Sequence, residues 1–312
     1  METGVETGVE TRVETGVETE ALTKLSRRRA LAALAATAAA AAGALGAAAP
    51  RRARAQQNAG PYVPTPWKIV DDMLKLAQVS KDDFVMDLGS GDGRLVITAA
   101  ERYGARGYGV DIDPALVKLA NDNAVKAGVA GHVRFEQRDL FETRIGDATV
   151  LTLYLLPHTV TQLVPRIFAE MRPGSRVVSH DYPLGPWQHE RHLQYDLPEK
   201  VEISGTTRTV LYLYVVPARV GGEWRLEAPG AKLAGRLKFE QSPVATRGSA
   251  RIGRREVALE GVKVTGEAVR FAIPGAGAGG KPLVLEGFAR GDAMEGTAAA
   301  PAAPAPWRAT RL

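Results

Sequence analysis

One run, Phe84-Val85-Met86-Asp87-Leu88-Gly89-Ser90-Gly91-Asp92-Gly93-Arg94, limits the possible folds of the chain more than any other. A short apolar stretch ends in an acid and then in three glycines spaced two apart, which reads as a strand entering a tight loop. Glycine has no Cβ and takes positive φ freely, so backbone here can approach a ligand closely. The N–H groups that open a following helix would point at the same ligand. A nucleotide-like cofactor is the expected occupant. The dinucleotide fingerprint G-x-G-x-x-G would need its third glycine at position 94, where arginine stands; the spacing here is G-x-G-x-G.

Hydrophobic periodicity around the loop alternates between strand and helix. Thr65 as N-cap with Pro66 at the first helical position predicts a helix to about Gln78, with Ile69, Val70, Met73, Leu74 and Leu76 at helical spacing. Strands are expected over Phe84 to Leu88, Gly107 to Ile112, Val133 to Gln137, Thr149 to Leu155 and Arg176 to Asp181. Helices are expected from Arg94 to Arg102, Pro114 to Ala127 and Thr159 to Met171. Alternation of this kind implies an α/β fold with a doubly wound parallel sheet and ligands at the carboxyl ends of its strands. Tyr182 to Leu197 reads as irregular, and Val201 to Ser204 with Thr209 to Val216 reads as a hairpin.

Beyond a boundary near residue 218 the pattern becomes all-β. Short alternating segments at Glu223 to Leu226, Ala234 to Gln241, Glu256 to Glu260, Ala268 to Ile273, Leu283 to Phe288 and Ala293 to Thr297 are separated by glycine, and Ala298 to Pro306 reads as an Ala/Pro linker. Residues 56–218 therefore form the α/β domain and residues 219–312 a small β-meander or β-barrel domain.

Two acids follow the second and third strands. Asp111, ending the second, is placed to accept two hydroxyl hydrogen bonds from a ribose, with Ile112 beside it. Asp113, before Pro114, has the position of a helix N-cap. Asp139-Leu140-Phe141 follows the third strand, where a carboxylate can accept from an adenine amine and apolar neighbours can flank the ring. Asp87-Leu88-Gly89-Ser90-Gly91-Asp92-Gly93, Asp111, Asp139 and Met171-Arg172-Pro173-Gly174 together resemble the class I, seven-strand S-adenosylmethionine-dependent methyltransferases, over about residues 62–216. Tyr62-Val63-Pro64-Thr65-Pro66, Tyr154-Leu155-Leu156-Pro157 and Val177-Val178-Ser179-His180-Asp181-Tyr182 are most similar to the ATP-synthase c-subunit lysine methyltransferases.

The resemblance implies a Rossmann-like methyltransferase sheet and S-adenosylmethionine as cofactor. It implies that Asp87, Gly89, Ser90, Gly91 and Gly93 hold the methionine end, with Thr65 capping the carboxylate. Asp111 and Ile112 are implied at the ribose and Asp139 and Leu140 at the adenine. It places the methyl acceptor at the end of the fourth strand, where Tyr154 and Tyr182 are the candidate catalytic residues.

The Asn/Asp-Pro-Pro-Tyr motif of amide and base methylases is absent there. The resemblance implies a protein lysine as the acceptor, with a small molecule as the alternative. Lysine must be neutral to attack, which costs about 4.6 kcal/mol at pH 7 and calls for an apolar channel or a base. Tyr154, Leu155, Leu156, Tyr182 and Trp187 are candidates to line it. His189-Glu190-Arg191-His192 is not expected to hold a metal, because the spacing supplies no third ligand and methyl transfer needs none.

The N-terminal 55 residues belong to neither domain. Residues 1–20 repeat a tetrapeptide close to V-E-T-G and read as a disordered tail or a misassigned start. In residues 21–55, Ser26-Arg27-Arg28-Arg29, an alanine-rich run and Ala53-Arg54-Ala55 follow the layout of a twin-arginine-like signal peptide, or of a membrane anchor. Periplasmic or membrane-anchored placement is expected, with cytoplasmic as the alternative. The chain has no cysteine, which fits either compartment. Residues 1–55 carry eight of the 40 basic and six of the 35 acidic residues, so the remainder has a net charge of only +3. No dense basic run with interleaved aromatics is present, and no nucleic-acid partner is expected. An exported enzyme would have to meet a cytoplasmic cofactor before export. The competing reading is accordingly a non-catalytic exported binding protein that keeps the fold. A nicotinamide-dependent oxidoreductase is disfavoured by Arg94.

Overall fold

The computed structural model describes residues 62–299 and 304–312; the repeat at 1–20 and the signal-like segment at 21–55 lie outside the described residues. Helix α1 (Trp67–Leu76) precedes β1 (Phe84–Leu88), α2 (Arg94–Tyr103), β2 (Arg106–Asp111), α3 (Pro114–Lys126), β3 (Val133–Gln137), β4 (Val150–Leu153), α4 (Pro157–Glu170) and β5 (Arg176–His180). An edge strand β6 (Arg191–Asp196), one helical turn α5 (Val201–Ser204) and β7 (Arg208–Val215) complete a seven-strand sheet of order β3-β2-β1-β4-β5-β7-β6. Strands β1 to β5 pair in parallel, and β7 runs antiparallel between β5 and β6. The carboxyl ends of β1, β2 and β4 thus lie side by side, with order reversing between β1 and β4. That reversal opens the crevice in which such sheets bind ligands.

The strands are apolar because they are covered on both faces. Val85, Val150, Val178, Leu211 and Leu213 pack beneath Ile69, Val70, Met73 and Leu74 of α1. Met86, Leu88, Leu151, Leu153 and Val177 pack on the other face against Val160, Leu163, Val164 and Ile167 of α4.

Two local expectations are corrected here. Thr65 is not the N-cap of α1: Pro66 occupies the cap, its carbonyl accepting from the amides of Ile69 (2.9 Å) and Val70 (3.0 Å). The Thr65 carbonyl accepts instead from Arg94 Nη1 at 2.6 Å, which keeps Thr65 outside the helix. Val201–Ser204 is a helical turn closed by Gly205, and the hairpin partner of β7 is Arg191–Asp196, within the stretch expected to be irregular. An edge strand whose side chains are nearly all exposed carries no apolar alternation to reveal it.

The second sheet has nine antiparallel strands: β8 (Gly222–Ala228), β9 (Leu233–Gln241), β10 (Thr246–Ile252), β11 (Arg255–Ala258), β12 (Glu260–Thr265), β13 (Ala268–Ile273), β14 (Leu283–Arg290), β15 (Ala293–Ala298) and β16 (Ala305–Arg311). Their order is β11-β10-β9-β8-β16-β15-β14-β13-β12. Only Leu259 joins the two outermost strands, and its amide donates to the Gly248 carbonyl of β10 at 2.8 Å, so the sheet curls back on itself. The sequence pattern, with its six segments, misses β10 and β16, merges β11 with β12, and reads the start of β16 as linker. Strand β10 buries only Ala250 fully, and β16 turns in only Trp307 and Ala309.

Phe239, Phe271 and Trp307 stack edge to face inside the curl, with centroids 5.5 and 5.6 Å apart. Arg219 ties this sheet to the first, donating from Nη2 to the Phe168, Ala169 and Met171 carbonyls at the end of α4 (3.0, 2.5 and 3.0 Å). Replacing the central ring, Phe271→Ala, should remove about 3–5 kcal/mol of stability. Urea unfolding followed by tryptophan fluorescence would show it, and an unchanged midpoint would refute the packing argument.

Candidate functional site

The glycine loop is built by backbone hydrogen bonds and kept open by missing side chains. The amides of Gly89 and Ser90 both donate to the Val110 carbonyl at 2.9 Å, which ties the loop to the end of β2. Gly91 has φ of 54°, and a Cβ there would lie 2.3 Å from the Tyr62 ring. Tyr62 therefore closes on the loop only because position 91 is glycine. Gly93, at φ 84°, caps α2, and a Cβ there would meet Phe135 at 2.7 Å. Its task is packing α2 against β3, and it does not line the cleft.

An open cleft follows the loop. Its walls include Thr65, Asp87, Gly89, Ser90, Gly91, Asp111, Ile112, Asp139, Leu140 and Tyr154. Asp111 is held at both oxygens by backbone: Oδ2 accepts from the Gly91 amide and Oδ1 from the Asp113 amide, each at 3.0 Å. Each oxygen keeps a second lone pair for a ligand hydroxyl. Asp113 caps α3 by accepting from the Ala115 amide at 2.8 Å. Asp139 Oδ1 accepts from the Phe141 amide at 2.8 Å, and Ile112 and Leu140 supply apolar walls beside it.

Asp87 is the most confined charge. Its carboxylate is buried at the end of β1 and accepts from Thr152 Oγ1 at 2.8 Å, across the β1–β4 pair. Burial pushes its pKa up to about 7 against that one donor, and the charges of Asp111 and Asp92 push in the same direction. Ser90 adds a buried hydroxyl whose oxygen has no protein partner among the described residues. A carboxylate short of cationic company, an orphaned hydroxyl and a backbone cradle with no room for a Cβ fit a ligand that brings positive charge, hydrogen-bonding groups and close backbone contact.

Arg94 and Asp92, which the sequence pattern offers only as loop spacing, are structural parts of this site. Arg94 forms a two-point pair with Asp92, from Nε to Oδ1 at 2.9 Å and from Nη2 to Oδ2 at 2.6 Å, while its Nη1 holds the Thr65 carbonyl. Its guanidinium also lies 5.0 Å from the centre of the Trp67 ring. Arg94 thus fastens the 62–67 segment over the glycine loop. The arginine itself is the only sequence signal for this, because a contact 29 residues away has no periodicity to betray it.

At the acceptor end the expected group of five is divided. Tyr154 and Leu155 line the cleft. Tyr182 and Trp187 do not: a tight turn in which the Tyr182 amide donates to the His180 carbonyl at 2.8 Å sends the chain away, and both rings pack against the core containing Leu155 and Leu184. Leu156 is the cap residue of α4. Burial pushes the Tyr154 hydroxyl up to about 12, so it is a neutral phenol at ordinary pH.

Residues 87–191 match the ANTKMT methyltransferase domain family. A protein-lysine N-methyltransferase of Saccharolobus islandicus is 41% identical over 157 residues, which is 50% of this chain and 93% of that protein. The ATP-synthase c-subunit lysine N-methyltransferase of Xenopus laevis is 32% identical over 41% of this chain, which spans only 55% of that protein's length. A crystal structure described as an RNA methyltransferase from Salinibacter ruber in complex with S-adenosyl-L-homocysteine is 49% identical, covering 51% of this chain and 96% of that one, with a TM-score of 0.46. The 41% identity across nearly the whole archaeal protein, on a sheet of this order with this loop, places the chain in the family of class I S-adenosylmethionine-dependent methyltransferases that includes the protein-lysine and ATP-synthase c-subunit enzymes.

Proposed function

We propose that the chain transfers a methyl group from S-adenosylmethionine to a lysine side chain of a protein. The observation that carries this is the division of labour in the cleft. One end is charged, built from Asp87, Ser90, Gly91 and Asp111; the other, at Tyr154 and Leu155, presents a neutral phenol and a leucine. Asp87, the Ser90 hydroxyl and the close-approaching glycine backbone take the methionine end of the cofactor, Asp111 the ribose hydroxyls, and Ile112, Asp139 and Leu140 the adenine. Thr65, held against Arg94, stands over the methionine carboxylate.

The cofactor brings the activated methyl; the chain supplies in-line placement and exclusion of water. An amine entering beside Tyr154 and Leu155 leaves bulk solvent, which favours its uncharged, nucleophilic form. Tyr154, a neutral phenol, and Leu155 form this end of the cleft, and the reaction there depends on placement more than on proton transfer.

Labelled methyl from S-adenosylmethionine should appear on lysine in a membrane-protein extract treated with the purified chain, identified by mass spectrometry. Asp111→Ala should reduce cofactor affinity by about tenfold or more in calorimetry and abolish labelling at the same concentration. Absence of cofactor binding by the unmutated chain would refute the enzymatic reading; binding with label only on small molecules would refute the lysine reading.

Cofactor affinity should depend on pH through Asp87. The cofactor's ammonium pairs with the ionised carboxylate, so affinity rises with pH and levels off above about 7; at pH 6 it should be roughly tenfold weaker than the plateau. Stability of the free protein moves the opposite way. The folded state keeps this proton up to about pH 7 while the unfolded chain releases it near 4, so Asp87's contribution declines as pH rises between those values. Calorimetry at pH 6 and 8, with Asp87→Asn expected to flatten the difference, checks the assignment.

We further propose that residues 21–55 direct export by a route that carries folded protein, so that cofactor is loaded first. A fusion of residues 1–60 to a periplasm-dependent reporter should be active, and inactive when Arg27, Arg28 and Arg29 are replaced by lysine.

A further inference from the structure

Three of the four buried side-chain polar atoms without a partner among the described residues lie on the neighbouring strands β5 and β7, behind the cleft wall formed by Tyr154: Nδ1 and Nε2 of His180 and Oγ1 of Thr209. Buried polar atoms are nearly always satisfied in native proteins, and leaving them bare is costly. Strand register explains why they gather. Asp87 sits opposite Thr152, Thr152 opposite Val178, and His180 opposite Leu211. Side chains level with one another share a face, as do residues two apart. Asp87, Thr152, Tyr154, His180 and Thr209 therefore form one row along the carboxyl edge of the sheet, starting at the cofactor's charged end and running past the acceptor end.

The surroundings hold His180 in place without satisfying it. Its ring stacks on Tyr154 with centroids 3.9 Å apart and planes 31° from parallel. Stacking covers the face of an imidazole and leaves the two nitrogens, which lie in the ring plane, to be met from the side. On one side Asp181 Oδ1 stands 3.5 Å from Nε2. Asp181 itself is strained, at φ 63°, and is fixed by Lys200, whose fully buried Nζ donates to both its oxygens (2.7 and 2.6 Å) and to the Arg208 carbonyl (2.5 Å). Strain of this kind in a non-glycine residue is retained where surrounding structure enforces it, commonly at functional sites. Asp181 favours the tautomer with hydrogen on Nε2, which leaves the Nδ1 lone pair free.

We propose that His180 Nδ1 accepts a hydrogen bond from the amine of the acceptor lysine and so orients the attacking nitrogen, with Tyr154 as the wall that the lysine passes. The inference rests on the lysine reading above. It requires an imidazole that remains neutral. The charged groups around it, Asp181 and Lys200, are already paired with each other, and burial lowers the His180 pKa to about 4. A neutral acceptor takes no proton from the substrate; it fixes the direction from which the nitrogen lone pair meets the methyl. Histidine suits this place because a phenylalanine would stack on Tyr154 equally well and offer no acceptor.

A binding cycle tests this on the full chain loaded with S-adenosylhomocysteine. The probe is a synthetic peptide spanning the lysine labelled in the extract experiment, with a twin carrying norleucine at that lysine. Both are titrated by calorimetry into wild type, His180→Phe and His180→Asn. The expected result is that His180→Phe weakens the lysine peptide about tenfold, equal to about 1.4 kcal/mol, and leaves the norleucine peptide unchanged. His180→Asn, which keeps an in-plane acceptor, should recover part of the difference.

Affinity for S-adenosylhomocysteine should be unchanged in both variants, which shows that the fold survives. Equal losses for both peptides would make His180 only a support for Tyr154 and overturn the proposal, as would no loss for either. If wild type binds cofactor and labels no lysine, the lysine reading fails and the proposal with it. If wild type labels lysine and the cycle shows no coupling, the proposal alone fails.

Discussion

A carboxylate buried with one hydrogen-bond donor sets the terms of this protein. Asp87 sits at the end of β1 because the strand must be apolar up to its last turn, and it ends where β1, β2 and β4 together expose their carboxyl edges. The parallel β1–β4 register brings Thr152 opposite it; that hydroxyl is the one side-chain donor to the carboxylate among the described residues, and the charges that act on it, Asp111 and Asp92, are both acidic. The free site is therefore electrostatically incomplete, and a cationic ligand is worth more there than on an exposed surface. The loop extends that principle. Gly91 offers its amide to Asp111, so the backbone that admits the ligand also orients the second carboxylate. Arg94 then binds Asp92 and Thr65 together and closes the N-terminal segment over the same loop.

The two ends of the cleft use opposite means. At the cofactor end, charges and backbone dipoles are held at fixed positions, so little reorganisation is needed when ligand arrives. At the acceptor end the wall is a neutral phenol and a leucine, and the nearest charges, Asp181 and Lys200, are turned toward each other. A buried ion pair is a poor source of net stability. Its value here is geometric: it closes the turn after β5 and so fixes the planes of the rings stacked beside it.

What the sequence made legible follows from what periodicity and local motifs can encode. The strand–loop–helix at 84–103, the acids at 87, 111 and 139, and the alternation that builds the parallel sheet all depend on residues near one another in the chain. The hold of Arg94 on Thr65, the closure of Tyr62 on Gly91 and the pairing of Lys200 with Asp181 depend on partners 19 or more residues away, and nothing local distinguishes a buried lysine from an exposed one. Strand β6 hides because an edge strand can be polar on nearly every side chain, and β10 and β16 hide because each turns in few large apolar groups. Tyr182 departs from expectation for a different reason. A residue just past a strand end normally faces the crevice, but the tight turn at Asp181 lays Tyr182, half-buried, against the core.

The order of the nine-strand sheet carries a consequence for how the molecule is made. Strand β16 lies at the centre of that sheet, hydrogen-bonded to β8 on one side and β15 on the other. The strands on either side of it can form hairpins during synthesis, but they cannot join into one sheet until residues 305–311 have left the ribosome. The methyltransferase sheet faces no such delay, since β7, its last strand, ends at Val215. Sheet formation is thus staged along the chain, the strands of the first sheet all preceding β16, which the second sheet needs to close. The last edges to be covered there belong to β8 and β15, and the strand that covers them is the last of that sheet in chain order.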